Sequence, residues 1–139
     1  MFLGSYEHTI DAKGRIAIPA KFRGELARGI VLVRGIEDCL YGYSMETMDE
    51  KARELDATAL DPKQRRLIER RFFSMSQDCE LDAQGRIVVP AEFRRYASLA
   101  GDAIVLGARK RFEIWSRTRW QAYQTEMDEA DLSGIALPF

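Results

Sequence analysis

Apolar positions recur along this chain in two short rhythms, and each rhythm occurs twice. In "RIAI" at 15–18 and "RIVV" at 86–89 the pattern has the two-residue period of a half-buried strand. Ile16 and Ile18 share one face, as do Ile87 and Val89. Arg15 and Arg86 open these strands on the opposite parity, which faces solvent. Pro19 and Pro90 follow; each lacks an N–H, so the strand stops and a helix starts. "AKFRGEL" and "AEFRRYA" then read as short helices burying Phe22 and Leu26, or Phe93 and Ala97. A hairpin follows in each case, over 30–44 and 103–116. Residues 6–10 and 79–81 are short β-prone runs ahead of the two patterns. Ser44 and Ser116 are placed to cap the next helices. The first carries Lys51 and Leu55. Asp61-Pro62 starts a second helix, which offers Leu67, Ile68, Phe72 and Phe73 to an apolar face. The helix after Ser116 carries Trp120 and Tyr123.

The doubling is a sequence repeat. "DAKGRIAIPAKFR" at 11–23 and "DAQGRIVVPAEFR" at 82–94 agree at nine of thirteen positions, far above chance. "IVL" at 30–32 recurs at 104–106, and "LYGYS" parallels "FEIWS". In both copies Asp11 or Asp82 supplies a carboxylate for nearby backbone N–H groups, and Gly14 or Gly85 takes a positive φ. These four residues shape the turns. One copy has too little core to stand alone. Two can pair about a pseudo-twofold axis and close a small barrel. The fold class is therefore α+β, a duplicated β-β-α-β module with flanking helices. The first module spans 5–47, inter-module helices 48–75, the second module 76–119, and a C-terminal helix and tail 120–139. From Glu126 onward the tail is acidic and loosely held.

Charge changes the picture through its distribution. The net formal charge of −1 argues against a uniformly basic nucleic-acid binder. Yet cations gather at Lys13, Arg15, Lys21 and Arg23, at Arg65, Arg66, Arg70 and Arg71, at Arg94 and Arg95, and at Arg109, Lys110 and Arg111. Acids concentrate at Glu46, Asp49 and Glu50 and in the tail. Segment 11–23 holds four cations and one carboxylate, whereas 82–94 holds two of each. Lys13 and Lys21 become Gln84 and Glu92, so the first copy is the stronger electrostatic half.

Other chemistries find little support. No apolar run is long enough to span a bilayer, and the start of the chain lacks signal-peptide character, so a cytoplasmic protein is expected. Cys39 and Cys79 stand far apart and are expected to be reduced and buried. His8 is the sole histidine and its counterpart in the repeat is Cys79, which argues for strand packing over metal ligation. Asp11 and Asp82 occupy equivalent positions, as in an aspartic-protease dyad, but D-T-G and D-S-G are absent and a basic residue follows each turn. No catalytic residue, metal or cofactor is expected.

D-x-x-G-R-[hydrophobic]-x-[hydrophobic]-P-x-x-[FL]-R, twice in one chain at this spacing, resembles the MraZ family, a two-copy member of the SpoVT-AbrB superfamily of swapped-hairpin β-barrels. The resemblance runs to about residue 124. It implies a transcriptional regulator of the bacterial division and cell-wall gene cluster, associated with the nucleoid. It also implies double-stranded DNA with promoter direct repeats as one partner, and self-assembly into a ring-shaped homo-oligomer. The family's D-x-x-x-R signature carries over to Asp11 and Arg15, and to Asp82 and Arg86. With the surrounding cations, the candidate DNA-binding residues are Lys13, Arg15, Lys21, Arg23, Arg86 and Arg94. Antitoxin relatives in the superfamily supply an alternative, a protein-binding module that uses the acidic tail.

Overall fold

The alternating segments fold as strands and the proline-led segments as helices. A computed structural model describes all 139 residues. The strands are β1 Ser5–Ile10, β2 Arg15–Ala17, β3 Ile30–Arg34, β4 Leu40–Ser44, β5 Gln77–Cys79, β6 Arg86–Val88, β7 Gly101–Gly107 and β8 Phe112–Ser116. The helices are α1 Ala20–Arg23, α2 Met45–Ala57, α3 Pro62–Ile68, α4 Ala91–Ala97 and α5 Arg117–Glu129, with a π-helical turn over Glu69–Phe73 that continues α3.

The architecture is mixed α+β around a mainly antiparallel sheet. Six strands order as β1-β7-β8-β4-β3-β5, and β2 pairs with β6 as a separate two-stranded ribbon. Both orders read the same when the copies are exchanged, which is the pseudo-twofold expected from the repeat. Two residue pairs lie on that axis: Ile16 opposite Ile87 in the ribbon, and Tyr41 opposite Glu113 in the sheet. Each copy lends its first strand to the other, β1 pairing with β7 and β5 with β3.

The strands do not close into a barrel, which corrects the sequence expectation. After each D-x-x-G turn the chain leaves β1 or β5 and pairs across the axis, so β1 and β5 remain as sheet edges. The ribbon and the sheet nonetheless share one core. Ile16, Ile18, Ile87 and Val89 face inward from the ribbon and meet Ile30, Leu32, Ala103 and Val105 from the sheet. Phe22 and Phe93 enter from α1 and α4, as their spacing predicts.

The ladder also shifts one equivalence. Ile30 pairs with Ser44 and Ala103 with Ser116, so Ile30 corresponds to Ala103, not to Ile104. A one-residue slip exchanges the two faces of a strand. Ile104 accordingly faces outward, where it packs with Leu106, Trp115 and Cys39 in a second small cluster under Trp120 and Tyr123 of α5. Ser44 and Ser116 cap α2 and α5 by accepting from Thr47 N and Arg119 N, both at 3.1 Å. Asp61 and Gln64 form a reciprocal cap on α3.

The apolar face expected for the inter-module helices is largely unburied. Leu67 and Phe72 are each about 60% exposed, at 60% and 62%. Ile68, Phe72 and Phe73 nonetheless share one side of the segment, where they line a groove beside α2 that Leu67 does not join. Cys39 is buried and Cys79 partly so; both are free, and burial pushes each thiol up to about 12. No helix is long and apolar enough to cross a membrane.

Candidate nucleic-acid interface

The two repeated turns converge on the outward face of the β2–β6 ribbon. Arg15 pairs with Val88 and Ala17 with Arg86, so these four residues share the face opposite the buried Ile16–Ile87 pair. The arginines are diagonal neighbours across two strands, a relation that places such residues about 7–8 Å apart. Copy one and copy two thus contribute to a single surface.

Each arginine is aimed by its own turn. The Asp11 carboxylate accepts from Lys13 N at 3.0 Å, Arg15 N at 2.9 Å and Arg15 Nε at 2.7 Å. Asp82 repeats this with Gln84 N at 2.8 Å, Arg86 N at 2.9 Å and Arg86 Nε at 3.1 Å. Only Nε of each guanidinium is engaged. The two terminal nitrogens make no hydrogen bond within the chain and remain available to a ligand. An Asp–Arg ion pair and an arginine presented outward are therefore the same arrangement, not competing ones.

Glycine makes the turn possible. Gly14 has φ +83° and Gly85 φ +74°. A Cβ on Gly14 would sit 2.6 Å from the Val89 carbonyl oxygen, and one on Gly85 would strike the Arg23 guanidinium. Backbone bonds from Val89 N to Gly14 O at 2.8 Å and from Ile18 N to Gly85 O at 2.9 Å extend the ribbon to both turns.

The remaining sequence candidates separate into two groups. Arg23 and Arg94 brace the turns. Arg23 donates from Nε to Ile18 O at 2.9 Å while lying over Gly85, and Arg94 donates from Nη1 to Ala12 O at 3.2 Å while lying against Gly14. Each thus supports the turn of the other copy. Lys13 and Lys21 are exposed, at the first turn and on α1. Of the hairpin-tip cations, Arg109 and Lys110 are exposed, but Arg111 is committed to Glu113 at 2.8 Å and stacks over Tyr41 at 4.2 Å. No group of three or more His, Cys, Asp or Glu side chains is gathered as a metal site.

A family model described as "MraZ protein, putative antitoxin-like" matches residues 1–71 and again 72–136. The chain belongs to the MraZ family. Proteins named "Transcriptional regulator MraZ" are similar along most of their length. That of Roseiflexus castenholzii is 44% identical over 128 residues, covering 92% of this chain and 90% of the relative. That of Ligilactobacillus salivarius is 44% identical over 129 residues, covering 93% and 90%. That of Moorella thermoacetica is 46% identical over 132 residues, again covering 93% and 90%.

In this MraZ-family chain, Val88 is the exposed member of the arginine face that sequence reasoning passed over. It is 56% exposed beside two arginines, on a ribbon whose other face is fully buried. The signal was present in the alternation: Val88 lies two residues from Arg86 and so shares its face.

The turn carboxylates fix a pH expectation. The backbone N–H of Arg15 first, then its guanidinium, hold Asp11 below the ordinary carboxylate value. The backbone N–H of Arg86 does the same for Asp82. A depressed value means that the turn bonds are fully present above the unfolded value of about 3.9 and are lost as pH falls through the folded one. The Arg15 and Arg86 Nε–H NMR signals are therefore expected to stay constant from pH 8 to pH 5 and to move only in more acidic solution. An inflection of either signal above pH 5 would contradict this geometry.

Proposed function

We propose that this chain is a transcriptional regulator that grips double-stranded DNA with the outward face of the β2–β6 ribbon. The observation that carries this reading is the pair Arg15 and Arg86, diagonal neighbours on the outward face and half-buried, each clamped at Nε with its terminal nitrogens unengaged. The names of the relatives support the regulatory role. A two-stranded ribbon fits the major groove, and a planar arginine fork can read guanine O6 and N7 bidentately or hold a phosphate. Val88 between them suits an apolar contact, such as a thymine methyl group. Lys13 and Lys21 add phosphate contacts on the first copy's side, with Arg23 and Arg94 bracing the turns from behind. Mutual lending of β1 and β5 supports a swapped arrangement of the two modules.

The operator in this reading is a set of direct repeats in the promoter of the division and cell-wall gene cluster. A few phosphate contacts per chain bind weakly, at a salt slope of about −0.9 per contact. A ring-shaped homo-oligomer set against successive repeats raises the effective concentration of each later contact. The test is a gel-shift titration on the DNA upstream of this protein's own gene, for wild type, Arg15→Ala and Arg86→Ala. Each single variant should bind more weakly and lose about one from the salt slope. Undiminished binding by the double alanine variant would overturn the assignment of this face.

A further inference from the structure

The pseudo-twofold leaves one half of the outer sheet face covered and the other half open. Over β7 and β8, Trp115 is roofed by Tyr123 and Trp120 of α5, with ring centroids 5.1 and 5.3 Å away. The equivalent of Trp115 on the first copy is Tyr43, which has no aromatic roof; the Lys51 ammonium of α2 lies over its ring, 5.0 Å from the centroid. Tyr43 lies in a groove of about 750 Å³ between α2, the π turn and the outer face of β3–β4. Tyr41, Met48, Leu55, Phe73 and Met75 supply much of its apolar wall. Arg34, Lys51, Arg70 and Arg71 also line it, and no carboxylate does. None of these four cations belongs to any of the chain's ten ion pairs.

The tail has the complementary chemistry. Glu126, Asp128, Glu129 and Asp131 carry its charge, with no cation from residue 126 onward. Leu132, Ile135, Leu137 and Phe139 follow, all exposed. Three of these acids crowd the C-terminal end of α5, where the helix dipole disfavours negative charge and no basic residue offsets it. Helix stability therefore does not account for them, whereas an external cationic surface would. The chain's own tail leaves the body fully exposed. Within one chain, both complementary surfaces stay uncovered.

We propose that this groove receives the acidic, apolar-ended tail of a second copy of the chain. The contact joins two different surfaces, and in head-to-tail order it propagates until a rotation closes it into a ring. This deepens the self-association part of the proposed function and rests on it. Apolar tail residues fill the space against Tyr43 and Phe73, and the acids meet Lys51, Arg70 and Arg71 at the rim.

Charge reversal in the full-length chain tests it. One variant carries Glu126→Lys, Asp128→Lys, Glu129→Lys and Asp131→Lys; the other carries Lys51→Glu, Arg70→Glu and Arg71→Glu. All seven side chains are exposed, and circular dichroism should show native folding. Analytical ultracentrifugation is expected to show each variant dissociating at concentrations on the order of tenfold higher than wild type, or more. An equimolar mixture of the two should regain larger species, because a reversed tail meets a reversed groove. Wild-type assembly by both variants would overturn the tail contact while leaving self-association standing. Loss of assembly without recovery on mixing would also overturn it. A wild-type chain that is monomeric throughout would instead remove the self-association reading, and this proposal with it. The ratio of gel-shift affinities for a one-repeat fragment and a scrambled one reports separately on the ribbon face and should be near wild type in the tail variant, whose added lysines raise both affinities alike.

Discussion

Changing Arg15 and Arg86 together to lysine should lower affinity for the promoter fragment about a hundredfold, with little change in the salt slope. Lysine keeps both positive charges, so the counterion-release contribution survives. It loses two other properties. The planar fork that matches a base edge is gone, and so is the Nε–H that Asp11 and Asp82 hold at 2.7 and 3.1 Å. An ammonium on a flexible stem is no longer aimed by the turn. A bidentate base contact is worth about 1–3 kcal/mol of discrimination. Two contacts at the lower part of that range give roughly 3 kcal/mol, or about a hundredfold. Fluorescence anisotropy with promoter and scrambled fragments, each across a salt series, separates the two terms. A double lysine variant that keeps the wild-type ratio of promoter to scrambled affinity would show that these arginines hold phosphates and do not read bases.

The second large effect belongs to the core. Gly42→Val is expected to lower the melting temperature by roughly 10 °C or more at fixed protein concentration. Gly42 lies on β4 opposite Phe112, and a Cβ there would come within 2.1 Å of the Phe112 ring edge at Cζ. That ring is fully buried, and Phe2 and Phe22 crowd it at centroid distances of 5.8 and 6.3 Å. With aromatic neighbours on two sides and the strand backbone beneath, it has no free direction. Overpacking of this kind costs about 3 kcal/mol at the upper end of the usual range, and each kcal/mol shifts a domain of this size by about 3–4 °C. Trimming the ring should recover part of the loss, so Gly42→Ala with Phe112→Leu should melt above Gly42→Ala alone. Differential scanning calorimetry decides it; a native melting temperature for Gly42→Val would mean that the strand yields where the packing says it cannot.

What could be read in the sequence, and what could not, divides by range. The turn is local: Asp11 and the three hydrogen bonds its carboxylate accepts lie within five residues, and the parity that turns Arg15 outward needs only the next three. The serine caps and the Asp61-Pro62 helix start are equally local. Pairing of β2 with β6 joins positions about seventy residues apart, and no residue in "RIAI" names its partner. That pairing is what makes one surface from two copies and leaves the sheet open. Arg23 and Arg94 show the same limit. As cations their type was visible, but each hydrogen-bonds beside the other copy's turn, which only the fold brings near. Ile68, Phe72 and Phe73 do share a face, as their spacing predicts, but what covers that face is a matter of packing that a helical period does not carry.

The pair on the sheet axis has a consequence for the origin of such chains. In a dimer of two identical modules, the residue on the axis must face its own copy. Glu113 is buried to 7% exposure and is held by Arg111 at 2.8 Å and by Trp115 Nε1 at 2.9 Å. Opposite it stands Tyr41, whose ring lies under the same Arg111. Symmetry would set a second buried glutamate in that place, and two like charges directly opposite on paired strands repel. Joining the modules in one chain frees this position to differ on its two sides. An acid, an arginine and a tyrosine can then share a spot where exact symmetry would permit only a residue compatible with itself.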